Sequence, residues 1–354
     1  MVGEASPRDH LYLFTSNMRP LYEQDAIDVL AAASGTRYRF RYQSDTRRDY
    51  LGTGLRDRWR NNQLAGQPLL VCFSIQQEAG YHPSAFIPVR FGTVVQTRAE
   101  GSPHIVDFEI GKYASLALDR DRIGEAILVF SEHLKEQLRE TPDVKKSAVL
   151  GPLAPGLDSG DEKNPLPWEN AVEYLSRTLS FRNHVFIRYS GIREMGAESE
   201  IQFEQGAATL IAGRTYELRV THLQPQETTE VRRYEVVVDG EIVSVVGQSE
   251  FLISSRYDTV PILLHAPDRE DVRETLLTVR PSAGVQGASI RIRLRVSPNK
   301  VRQVGGAIGT AVSLLLIALP GILGESASIT ARVVLGTSGF LLGGTLLAAR
   351  LRKT

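Results

Sequence analysis

The last fifty residues restrict this chain more than any other stretch, because two apolar runs stand there almost back to back. Residues 304–324 (VGGAIGTAVSLLLIALPGILG) hold no charged side chain. At about 1.5 Å of rise per residue such a run reaches roughly 30 Å, the thickness of a bilayer's hydrocarbon core. After Glu325–Ser328 a second run begins, and from Val333 to Ala349 it too is uncharged. The pattern predicts a two-helix transmembrane hairpin over 301–354. Pro320-Gly321 either kinks the first span or ends it, and a buried helical hairpin is the competing reading.

Charge placement predicts the hairpin's orientation. Lys300 and Arg302 precede the first run and Arg350, Arg352 and Lys353 follow the second, while the connecting loop carries only Glu325. The positive-inside rule then puts both chain ends in the cytoplasm, as a multi-pass protein of the inner (plasma) membrane with the lipid bilayer as partner. Gly305 and Gly309, and again Gly339 and Gly343, are four apart. Small residues at that spacing let helices approach closely, which suggests a homo-oligomer packed through the hairpin.

The remaining 300 residues suffice for two domains. With 41 basic and 41 acidic residues the net charge is zero, so overall charge selects no class of partner. The single cysteine, Cys72, lies in an apolar run (LLVCFSI), has no internal disulfide partner and reads as a core thiol in a reducing compartment. The first residues, MVGEASPRDH, do not resemble a signal peptide.

Residues 1–150 read as an α+β, barrel-like domain that binds a ligand or partner. Strand signals at 69–76, 86–97 and 104–110 accompany a helix in which Ile123, Ile127, Phe130, Leu134 and Leu138 share one face. Arg37, Arg39 and Arg41 alternate with Tyr38, Phe40 and Tyr42, which puts three arginines on one face of a strand. Residues 37–60 hold eight arginines against three aspartates, a local balance of +5. Guanidinium groups grip phosphates through paired donors and aromatic rings accept bases. Arg37, Arg39, Arg41, Arg47, Arg48, Arg56 and Trp59 are therefore the candidate ligand-binding residues, for a nucleotide, nucleic-acid or protein ligand. A solvated strand face with arginines paired to acids elsewhere is the alternative. The FGTVV segment with the alternating strand after it is similar to barrel domains of the PUA type, without a motif specific to them.

Prolines, glycines and the acidic cluster Asp158–Glu162 make 151–167 a linker by composition. From 168 to 300, short strand signals recur about every ten residues, ending in the alternation of Ile290–Val296. This predicts an all-β, immunoglobulin-like sandwich. Asp239-Gly240 between two strand signals predicts a tight hairpin.

Motifs for catalysis are missing. The seven histidines have no zinc-site spacing, one cysteine makes no thiolate cluster, and no P-loop, dinucleotide-binding or nucleophile-elbow motif occurs. No cofactor and no metal is expected, and a non-enzymatic role is favoured. The expected function is that of a membrane-anchored cytoplasmic sensing or interaction protein. The order of sensor, β domain and terminal hairpin resembles the layout of membrane-disrupting or pore-forming effectors of bacterial antiviral defence. That resemblance implies an oligomerising hairpin triggered by the domains before it. The alternative is a membrane-bound enzyme that acts on nucleic acid or nucleotides through the arginine-rich face.

Overall fold

Leu69, Leu70, Val71, Cys72 and Phe73 offer no polar side to water, so the strand they form must be covered on both faces. The computed structural model describes residues 9–16, 19–42, 51, 55–76, 83–100, 103–116, 122–139, 148–160, 164–225 and 231–299, and it buries all five. The first domain comprises β1 (His10–Ser16), α1 (Pro20–Ala31), β2 (Arg37–Tyr42), α2 (Leu55–Arg60), β3 (Pro68–Gln76), β4 (Pro83–Ala99), β5 (His104–Ser115), α3 (Ile123–Arg139), β6 (Ala148–Gly151) and β7 (Asp158–Gly160). Its mixed sheet runs β2-β5-β4-β3-β1-β6, with β7 added on β5. β1 and β3 pair in parallel and the other neighbours are antiparallel.

Strand alternation divides this sheet's side chains between two layers. Tyr12, Phe14, Leu70, Cys72 and Phe86 face α3, which contributes Phe130 and Leu134 with Leu138 packed beside them. Leu11, Leu13, Leu69, Val71 and Phe73 face the opposite way, toward α1, α2 and the rest of the molecule.

The chain continues through α4 (Leu166–Ser176), β8 (Phe186–Glu194), β9 (Phe203–Glu204), β10 (Ala207–Ile211), β11 (Arg214–Leu223), β12 (Arg232–Val238), β13 (Ser244–Val245), β14 (Glu250–Ile253), β15 (Tyr257–Ala266), β16 (Arg273–Pro281) and β17 (Ile290–Ser297). Two sheets result, β14-β12-β16-β17-β10-β9 and β13-β15-β11-β8. In β17 the isoleucines, leucine and valine point inward and Arg291, Arg293 and Arg295 point outward or toward the edge of the core. Cross-strand ion pairs cover the outer faces, with Arg295 on Glu274 and Arg280 on Glu235 in one sheet and Arg193 on Glu217 in the other.

The two domains share a continuous apolar core. One cluster holds Leu13, Ile27 and Phe73 of the first domain, Trp168 and Leu175 of α4, and Phe186, Leu218 and Ile292 of the second. Phe181, fully buried, sits with its ring centroid 5.1 Å from Phe73 and 6.3 Å from Phe186, bridging β3 to β8.

The structure corrects several expectations. The described chain is mostly β, with 51% strand and 19% helix, and its first domain is an open sheet whose path ends at β2 and β6. The barrel therefore does not stand: β2 and β6 lie at opposite ends of the sheet's path, and among the described residues no ladder joins them. The transmembrane, multi-pass inner-membrane placement does not stand either. Among the described residues no helix is long and apolar enough to cross a membrane. The longest, α3, has 17 residues and exposes Glu125, Glu132 and Glu136 opposite its buried face. Residues 301–354, with Gly305, Gly309, Gly339 and Gly343, lie outside the described residues, as do Arg47 and Arg48. Apolar length alone does not separate lipid from protein interior as the solvent of a segment, and the described helices supply no span.

Two smaller differences concern connections. The stretch read as a linker joins the first sheet, because Ala148–Gly151 pairs with β1 and Asp158–Gly160 with β5. Asp239-Gly240 does not close a hairpin: β12 pairs with β14 and β16, while β13 pairs with β15, so the turn passes the chain from one sheet to the other.

Candidate functional site

β2 is an edge strand, and its alternation places arginines and aromatic rings on opposite sides. Phe40 and Tyr42 are buried and Tyr38 is half-buried, whereas Arg37, Arg39 and Arg41 are exposed. Register on β5 sets how each arginine is compensated. Arg37 stands opposite Glu109, Arg39 opposite Asp107 and Arg41 opposite Ile105. Arg39 makes a two-pronged ion pair, with Nε donating to Asp107 Oδ1 at 2.5 Å and Nη2 to Oδ2 at 3.3 Å. On β4, Arg98 meets Glu100 at 2.9 Å and Asp107 at 3.9 Å. Asp107 thus neutralises the middle of the strand, Glu109 stands across from its start, and Arg41 stands across from an apolar residue.

Trp59 takes no part in an open aromatic platform. It is fully buried, and its Nε1 donates to the carbonyls of Arg98 at 3.2 Å and Ile105 at 3.1 Å, pinning α2 onto β4 and β5. Tyr42 and His104 pack edge-on against it. Arg56, on α2, is half-buried. Of the candidate residues, the structure therefore brings Arg37, Arg39 and Arg41 together on one face and turns Trp59 inward.

The inner side of the same strand leads to a polar cluster that no sequence motif marks. Helix α1 packs on β1, β4 and also on β8 of the second domain. On α1, Asp28 is buried, and its Oδ1 accepts from Gln24 Nε2 at 2.7 Å and from the backbone N–H of Ser289 at 2.8 Å. Gln24 Nε2 also reaches the carbonyl of Gly287 at 3.2 Å. One turn earlier, Asp25 accepts a hydrogen bond from the Tyr38 hydroxyl at 3.2 Å. Burial pushes both carboxyls up to about 6, offset in part by the Arg291 charge. Tyr38 is held far above its usual range by burial, reinforced by the two nearby acids.

The segment that reaches α1 needs a glycine. A Cβ at Gly287 would run into the Tyr234 hydroxyl and lie 3.0 Å from the carbonyl of Val185. Nearby, Arg37 lies along the turn before β10, so that a Cβ at Gly206 would be 3.0 Å from its Cγ.

No protein family matches this chain, and no curated protein matches it. Among solved structures, one similarity is to a FixG-related protein from Vibrio parahaemolyticus, at 15% identity and a TM-score of 0.21, over 32% of this chain and 96% of that one.

Buried charge occurs elsewhere without forming a second site. Arg90 is fully buried, donates to the Gly111 carbonyl at 2.9 Å and to Ser34 Oγ at 3.1 Å, and lies over the Tyr113 ring at 3.8 Å. It fastens β4 and β5 to the end of α1, since Tyr113 in turn donates to the Leu30 carbonyl at 3.2 Å. Among the described residues, no group of three or more histidine, cysteine or acidic side chains is placed to hold a metal ion.

Proposed function

We propose that this chain is a sensing or interaction protein that reads an anionic ligand, a nucleotide or a nucleic-acid strand, along the arginine face of β2 and relays its presence to the second domain. One observation carries the reading: β2 points Arg37, Arg39 and Arg41 outward and, from the residue between the first two, donates the Tyr38 hydrogen bond to Asp25 beside the second domain. A ligand that draws on Arg41 and competes with Asp107 for Arg39 is thus one residue away from the contact between domains. Guanidinium donors suit phosphate oxygens, and loss of an ion pair to a neighbouring acid is repaid by one to phosphate.

The test is a thermal-shift screen of the full chain against nucleotides and short oligonucleotides, with product analysis of every hit. Stabilisation that falls with added salt, disappears in Arg41→Ala and Arg39→Ala, and yields no product is expected. A silent screen, or a shift that both variants retain, would overturn the reading. Turnover would favour the enzyme alternative instead.

A further inference from the structure

Asp25 and Asp28 lie three apart on α1, which places them on neighbouring turns of one helix face. That face meets the second domain. Every hydrogen bond described between Asp28 and that domain goes to backbone: the Ser289 N–H reaches Asp28 directly, and the Gly287 carbonyl is reached through Gln24. Arg291, two residues on, is the cation that faces both acids. From the first domain, Tyr38 and Tyr42 of β2 and Tyr22 of α1 itself complete the surroundings. From the second, Tyr234 of β12 adds to them, with Arg232 behind it. Asp28 is thus buried and Asp25 half-buried, and the charge of Arg291 acts on both from the exposed face of β17.

We propose that the Asp25–Asp28 pair is a proton-operated latch between the domains, seating the segment 287–291 against α1 when the acids are protonated and loosening it when both are ionised. The geometry makes the charged form expensive, because closing buries the Asp28 carboxyl under Ser289 with the half-buried Asp25 one turn away, while opening returns it to water. The sign follows from linkage. Both carboxyls titrate near 6 when closed, against 3.8 for an ordinary aspartate, so the closed joint holds more protons than the open one. Its advantage is complete below the ordinary value and is lost as pH rises through about 6. Between pH 5 and 7.5 the open fraction rises about tenfold for each carboxyl that behaves in this way. The latch stands apart from ligand reading on β2 and holds whether or not an anion binds there.

The test is hydrogen–deuterium exchange of the full chain at pH 5 and 7.5, corrected for intrinsic exchange, together with carboxyl-carbon NMR titration. Loss of protection in 285–291 and α1 by about tenfold or more at the higher pH is expected, with carboxyl midpoints near 6. Asp28→Asn keeps an oxygen for Gln24 and Ser289 and carries no charge, so with Asp25→Asn it should stay latched at both pH values. Protection that ignores pH, midpoints at ordinary aspartate values, or a pH dependence that survives in the double variant would each overturn the latch. The NMR arm decides the matter even if a variant folds poorly.

Discussion

Phe181 is the side chain whose removal tests most directly whether the two domains fold as one. It lies in a short helical turn between α4 and β8, is fully buried, and is in ring contact with Phe73, Phe186 and His184. Phe181→Ala removes a buried aromatic side chain and leaves a cavity walled by both domains, a change that costs about 3–5 kcal/mol. Part of that, about 0.5–1.5 kcal/mol, belongs to the edge-to-face pair with Phe73. For domains of this size each kcal/mol lowers Tm by about 2–4 °C, so a loss on the order of 10 °C is expected. The position of the cavity matters as much as its cost. Because the wild-type core is continuous, calorimetry should show one transition, and Phe181→Ala should split it. Fluorescence adds local probes, since Trp59 reports on α2 in the first domain and Trp168 on α4, where Arg188 of β8 lies over its ring. A double-mutant cycle with Phe73→Ala should give a coupling of about 0.5 kcal/mol or more. If Phe181→Ala melts within about 2 °C of wild type, or the cycle is additive, the bridge is not what couples the domains.

Gly287→Ala should destabilise by about 1–3 kcal/mol through collision with Tyr234, and Tyr234→Phe, which removes the hydroxyl the new methyl meets, should recover part of that loss in chemical denaturation. Cys72 is fully buried, and burial alone pushes its thiol well above the usual range. Alkylation at pH 7.5 should therefore proceed only as fast as the first domain opens, with a native rate roughly 100-fold or more below that in denaturant. Labelling at a comparable rate in both conditions would show that the layer between the sheet and α3 does not exclude solvent.

Local patterns were legible where one physical rule decides the outcome. The period-two alternation of Arg37–Tyr42 and of Ile290–Val296 placed their side chains correctly, because burying one face leaves no other register. The apolar face of α3 through Ile127, Phe130 and Leu134 was equally plain. Pairing between strands was not. Asp239-Gly240 has the composition of a hairpin turn, yet the strands beside it pair with β16 and β15 in two different sheets. The linker reading of 151–167 failed for the same reason: proline and glycine describe local backbone freedom, and the free edges of β1 and β5 recruited neighbouring backbone into the sheet regardless.

The arginine face and the acid joint show a different limit. Arginines at 37, 39 and 41 could be counted, but their charge could not be evaluated until β5 placed Glu109, Asp107 and Ile105 opposite them and Asp107 paired with Arg39. Asp28 did leave a trace, for it interrupts the apolar sequence Ala26-Ile27-Asp28-Val29-Leu30-Ala31, and an acid in such a run must be exposed, paired or pushed toward neutrality. Which of the three holds depends on residues more than 250 positions away: the Ser289 N–H and the Arg291 charge. A side chain that violates its local pattern marks where distant chain has to arrive. At Asp28 the violation places a titratable group between two domains whose contact is otherwise mostly apolar, and that contrast gives a proton the leverage to move one against the other.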